Sequence, residues 1–375
     1  MNKKKIVIFQ YLDVLACMCV LFGHVITYNT DAVNFLKEIG NHLTYIPYNV
    51  VENLVLIKYI NLGQFGVALF FLLSGFLIMR SREFSSTKDF LAKRILRIFP
   101  ISTISILLCF IATEVMNLAF FNIPFKFDLI IFNKIITNCL LINDLFCLPS
   151  IIPVYWFLLV LVKFYLLMVF AKNFKQKEFL ITTLCLLTIV FSYTSLGSVL
   201  ETKGNITLFI VLRALAFSAH HIIYALIGSS LYLLFKNYVF VDEKFKFNKD
   251  IIYPIAIYLL FILSFTTYHY SPTPFDNGMP KNYTIALILF IISLIFSHKV
   301  TFKVKGLDFL NSIIFPVYTL HWTIGAFYVF LLAQLRLMKE NLFIMYSIVF
   351  VSIILTAYVV EKITNYCIGI LRKSK

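Results

Sequence analysis

Long apolar runs recur along the whole chain, separated by short polar stretches, with no soluble-like block between them. Runs of about 20 apolar residues suit helices that cross a bilayer, where a helix satisfies its own backbone groups. Ten spans are predicted: Ile6–Ile26, Leu62–Met79, Pro100–Phe120, Ile152–Phe170, Phe179–Leu196, Thr207–Phe235, Ile251–Thr267, Tyr283–Phe296, Phe309–Ala333 and Leu342–Val360. The eighth is short and the sixth long, which predicts tilt or a break there. The first run follows a lysine-rich start as a signal peptide would. It is nevertheless long enough to span, lacks a small-x-small site at its end and is followed by further spans, so it reads as a retained helix.

Composition agrees with this pattern. Hydrophobic residues make up 61% of the 375 positions and charged residues only 14%, well below the quarter usual in soluble domains. The fold class is therefore all-α, a single polytopic membrane domain over residues 1–375 with no appended soluble domain. Charge sets the orientation. With the N-terminus inside, the inner segments hold 23 of the 33 Lys and Arg, the outer segments 8, and the spans two. That bias predicts both termini in the cytoplasm. The net charge of +15 is then a topological device, and no nucleic-acid partner is expected. Cys139 and Cys147 share the second outer segment and form a candidate disulfide if that side is oxidising. No Cys or His spacing suggests a metal site.

Ionisable residues inside spans are costly and mark functional candidates. Asp13 and His24 lie 11 residues apart on the first span, so they share a face at about 16 Å separation along the axis. Histidine suits proton transfer near neutral pH. After the second span comes a basic stretch in which Lys93, Arg94 and Arg97 fall within about a turn if helical, Arg94 and Arg97 sharing a face. Two guanidiniums so placed suit a phosphate, although by itself such a flank is better explained by snorkelling to lipid headgroups. Gly63, Gly66 and Gly75, with Ser74, mark the second span as a close-packing helix.

Together these segments resemble the membrane acyltransferase 3 family, bacterial O-acyltransferases of surface glycans. The resemblance rests on Gly66-Val-Ala-Leu-Phe-Phe-Leu-Leu-Ser-Gly-Phe-Leu77 and on a basic loop ending Arg94-Ile-Leu-Arg97-Ile-Phe-Pro100. It also rests on Val20-Leu-Phe-Gly-His24, on the Pro153–Tyr165 stretch with Trp156, and on Tyr318-Thr-Leu-His-Trp322. It implies a bacterial inner-membrane, multi-pass enzyme moving an acyl group, in the usual case acetyl, from acyl-CoA to a hydroxyl of a saccharide or lipid-linked glycan. No permanently bound cofactor is implied, and membrane lipids are the remaining partners. By the same resemblance His24 is the catalytic histidine, Arg94 and Arg97 with Lys93 take the donor phosphates, and Asp13, Trp156 and His321 are weaker pocket residues. Three positions depart from the family pattern. Asp13 stands where an arginine is expected, Gln10 where an acid is expected, and Leu161 or Val162 where a glutamate is expected. Replacement charges are sought in Glu114, Lys163 and Arg213, with Asp13 pairing to Lys163 or Arg213.

Two other readings compete. One is a degenerate family member serving as a partner in glycan assembly. The other is a transporter or flippase-like protein, suggested by a broken sixth span carrying Arg213, His220 and His221.

Overall fold

The computed structural model describes residues 7–38, 59–146, 148–202, 204–241, 244, 248–267, 279–334 and 342–373. Among the described residues every regular element is helical and no strand occurs. The α-helices are α1 Val7–Glu38, α2 Leu62–Glu83, α3 Thr87–Phe121, α4 Leu129–Cys139, α5 Trp156–Met168, α6 Gln176–Thr202, α7 Ile206–Val241, α8 Ile252–Thr267, α9 Met279–Ile295, α10 Leu307–Gln334 and α11 Leu342–Lys373.

Seven of these, α1, α2, α3, α6, α7, α10 and α11, are long and apolar enough to cross a membrane. The other three predicted spans fall on shorter helices. α5, α8 and α9 have 13, 16 and 17 residues, and 16 residues rise about 24 Å. A 3₁₀ turn, Pro153–Tyr155, leads into α5.

Local chemistry sets the helix ends. Asn61 caps α2, its side chain accepting from the Gln64 N–H at 3.0 Å. Ser86 caps α3 by accepting from the Asp89 N–H at 3.1 Å, so only three residues separate α2 from α3. At its far end Asn122 takes the left-handed conformation, φ 52°, that closes a helix.

The structure redraws several expectations. The basic loop before the third span is part of α3, which runs from Thr87 through Pro100 without a break. The pyrrolidine nitrogen lacks the hydrogen that would bond the Leu96 carbonyl, yet the helix continues on both sides. The sixth span is an unbroken 36-residue helix, α7, about 54 Å long, and the break that suggested a transporter is absent. Part of the first outer segment is helical, since α1 continues to Glu38, and the second contains α4. Cys147 lies outside the described residues, so the candidate disulfide does as well.

Packing centres on α2. In its most apolar stretch 72% of positions are buried, against 28% for α6 and α11, which places α2 inside and the other two at the rim. Its largest contacts are with α1, α7 and α9. A side chain at Gly75 would overlap the Ala225 carbonyl of α7, and one at Gly228 would overlap the Leu72 carbonyl of α2. The two backbones touch at reciprocal glycines, the arrangement in which small residues replace hydrophobic driving force in lipid.

Candidate active site

Six helices enclose a cavity of about 210 Å³. α1 contributes Asp13, α2 Ser74, α3 Arg94 and Arg97, α5 Leu161 and Tyr165, α10 Asn311 and Tyr318, and α11 Glu361. The Ser86 cap fixes the start of α3, and from there the spacing of three puts both arginines on the face that lines the cavity. Arg94 is tightly held. Its Nη2 donates to Ser81 Oγ at 2.8 Å, and its guanidinium carbon lies 5.6 Å from the Phe90 ring centre and 5.7 Å from that of Tyr165. Its Nε is buried with no acceptor among the described residues. Arg97 is exposed along its side chain and acts electrostatically on Asp13, which also interacts with Asn311.

The charged neighbour of Asp13 is therefore Arg97 on α3, which corrects the expected pairing with Lys163 or Arg213. Lys163 bonds Asp144 at 2.5 Å instead. The 3₁₀ turn Asn143–Phe146 brings that carboxylate over α5, a link that residue spacing does not announce.

A second group of polar side chains lies beyond the Tyr318 end. His24 stands about 16 Å from Asp13 along α1. A Cβ on Gly23 would sit 2.7 Å from the Gly63 nitrogen, so glycine there lets α1 meet the start of α2 and sets His24 beside it. The His24 ring is 5.1 Å from that of His321 and meets the Trp322 ring edge-on at 4.8 Å. His321 is buried, and its Nδ1 lies 2.7 Å from the Tyr318 carbonyl. A carbonyl only accepts, so Nδ1 carries the proton that it donates. Tyr318 itself donates to the Val154 carbonyl at 2.6 Å and stacks edge-on with Phe157.

The sequence candidates thus fall into separate places. Asp13, Arg94 and Arg97 share the cavity, and His24 and His321 share the far end. Trp156 is grouped with His221 at 5.0 Å and Phe217 at 5.5 Å on α7. Lys93 is not in the cavity lining and donates to Ser85 Oγ at 3.4 Å. Four further residues join the site. Tyr165 and Trp322 end the stretches already singled out, so sequence position offered a signal for both. Asn311 and Glu361 carried none, because their place depends on how α10 and α11 dock. Among the described residues no three His, Cys, Asp or Glu side chains gather as a metal-binding group.

Comparison with known proteins agrees with this architecture. No curated protein and no solved structure matches the chain. The model of the acyltransferase 3 family, described as an acyltransferase domain, matches residues 6–362, nearly the whole chain. With its membrane-suited helices and this family match, the chain belongs to the acyltransferase 3 family of membrane acyltransferases.

Proposed function

We propose that the protein transfers an acyl group, acetyl in the usual case, from acyl-CoA to a hydroxyl of a saccharide or lipid-linked glycan at the bacterial inner membrane. The carrying observation is the line of polar groups through the bundle. Arg94 and Arg97 stand at one part of the cavity, Tyr318 at another, and His321 and His24 one turn further on. The free Nε of Arg94 is a donor suited to a phosphate oxygen of CoA. An extended pantetheine arm laid along the cavity carries the thioester toward His24.

The chemistry then balances simply. The acceptor hydroxyl oxygen attacks the thioester carbonyl carbon as His24 takes the hydroxyl proton. The C–S bond breaks, CoA leaves as thiolate, and the proton returns to the sulfur. A variant in which His24 first carries the acyl group uses the same atoms. Trp156, in this reading, braces the pocket wall through the adjacent Phe157. Lys93 adds positive charge to the approach without touching the phosphates.

The topology we propose has ten spans, with α5, α8 and α9 completing the seven longer helices, and both termini in the cytoplasm. Reporter fusions after Lys177, Lys249 and Lys375 should read cytoplasmic, and those at Asn29, Asp276 and Lys339 external. An internal reading at Asp276 overturns it.

The degenerate reading keeps one support, namely that the cavity is lined by Asp13, where the resemblance expects an arginine, and by Leu161, which with its neighbour Val162 marks where it expects a glutamate. Membranes containing the protein, given labelled acetyl-CoA with and without glycan, separate the two. Transfer or hydrolysis above a His24→Ala control supports the enzyme. No consumption by the native chain, with restoration by Asp13→Arg, supports degeneracy.

A further inference from the structure

A second cavity, of about 600 Å³, opens where α6 begins and α7 ends. Lys175, Lys177, Lys236 and Lys244 line it, against one carboxylate, Asp250. The local acids are largely engaged. Glu83 holds Lys236 at 2.6 Å, Glu178 accepts from the Lys175 backbone N–H at 2.9 Å, and Asp250 accepts from Asn248 at 2.8 Å. Among the described residues no ion pair engages Lys175, Lys177 or Lys244, and all three are exposed. Asp242 and Glu243 precede Lys244 in sequence, outside the described residues.

The floor of this cavity is built rather than incidental. Gln176, the buried first residue of α6, donates to the Ser230 carbonyl of α7 at 2.9 Å and accepts from the Ser230 hydroxyl. The start of α6 is thereby locked to α7 in a fixed position. The cavity also lies at the same end of the bundle as the arginines. Lys236 bonds Glu83 and Arg94 bonds Ser81, two residues apart on α2.

Along the bundle from this cavity, α6 and α8 pack together and turn apolar side chains outward. Ile181 and Leu184 on α6, and Ile252, Ile255 and Leu259 on α8, are exposed at one-turn and two-turn spacing. A soluble anion has no use for such a strip. A lipid has, since its charged head and its tails need a basic cavity and an apolar strip in that order.

We propose that this cavity binds the headgroup of an anionic phospholipid whose tails lie along α6 and α8. Basic pockets between membrane helices recognise headgroups in this way. The assignment of leaflet, but not the site itself, rests on the topology proposed above.

The test uses the full chain purified in detergent from membranes containing phosphatidylglycerol, cardiolipin and phosphatidylethanolamine. Lipids retained after washing are quantified by mass spectrometry, and CoA binding is measured in parallel. The combined change Lys175→Gln, Lys177→Gln and Lys244→Gln should lower retained anionic lipid about tenfold, leaving phosphatidylethanolamine and CoA binding unchanged. The same three positions changed to Arg should keep the lipid. Equal retention by the Gln variant overturns the site. A fall in CoA binding with lipid unchanged also overturns it, assigning the cavity to the donor. If the Gln variant fails to fold, the native chain decides. Its anionic lipid should be lost as salt rises, because screening weakens charge contacts, and retention unchanged by salt overturns the proposal.

Discussion

The two ends of the polar line through the bundle are built on different principles. At the arginine end, charge is held in an open place. Arg97 is exposed, Arg94 is fixed by Ser81 and by ring faces, and a carboxylate from α1 stands nearby. At the histidine end, aromatic rings do the holding. His24 meets Trp322 edge-on and lies against His321, whose orientation is set by a backbone carbonyl. The first end suits recognition of a charged, hydrated group, which needs access to water. The second suits a proton transfer that must be shielded from it. In the reading proposed above, recognition and chemistry are separated along one helix, α1, which carries Asp13 near its start and His24 about 16 Å further on.

That separation makes the two ends independently breakable, and the largest effect should come from the histidine end. His24→Ala should lower acyl transfer by about 10²–10⁴-fold, the usual worth of a positioned acid–base group, with CoA affinity nearly unchanged. Single-turnover assays beside equilibrium CoA binding check this. Full transfer in the variant would reduce His24 to a packing residue.

The arginine end should respond in the opposite sense. Arg94→Ala and Arg97→Ala should each weaken CoA binding about 10–100-fold, the worth of a charge-assisted hydrogen bond, with the folded yield preserved. Arg94 should show the larger loss, since its guanidinium is already oriented. Lysine replacements should recover only part, because an ammonium cannot reproduce the guanidinium fork. Alanine variants that bind CoA normally would make both arginines orientation charges only.

A smaller effect tests the altered motif. Asp13→Ala removes the carboxylate that would compete with a phosphate for Arg97, so CoA affinity should rise a few-fold, in line with the modest worth of partly exposed charges. A fall in affinity would show that Asp13 positions Arg97 rather than competing for it. The smallest effect is expected at Lys93, whose ammonium turns to Ser85. Lys93→Ala should shift CoA affinity by less than about 0.5 kcal/mol, as surface changes generally do. A tenfold loss would draw Lys93 into the donor site after all.

Much of this arrangement was readable in the sequence, and the unread part has a common cause. The apolar runs locate the long helices because each must bury or immerse its own backbone, a local condition. Arg94 and Arg97 come to one cavity because a spacing of three repeats the helical face, again a local rule. Pro100 misled, because proline usually ends a helix, yet α3 passes through it. The sixth run suggested a break because it exceeds the membrane thickness, whereas α7 runs through all 36 of its residues unbroken. What stayed hidden depends on docking. The contact of His24 with Trp322 spans nearly 300 positions of chain, and so does that of Asp13 with Asn311. Trp156 stands in a recognisable stretch, yet α5 turns it toward α7, and no periodicity fixes which neighbour a helix face will meet.

The reciprocal glycines between α2 and α7 also constrain how the protein can work. Backbones in direct contact cannot rotate past each other without driving a Leu or Phe into a carbonyl, so these two helices form a stator. In the donor reading proposed above, any breathing that admits a bulky donor falls to other helices that line the cavity, among them α3, α10 and α11. In that reading the moving parts are the helices that supply the arginines, while the pair joined at the glycines stays still.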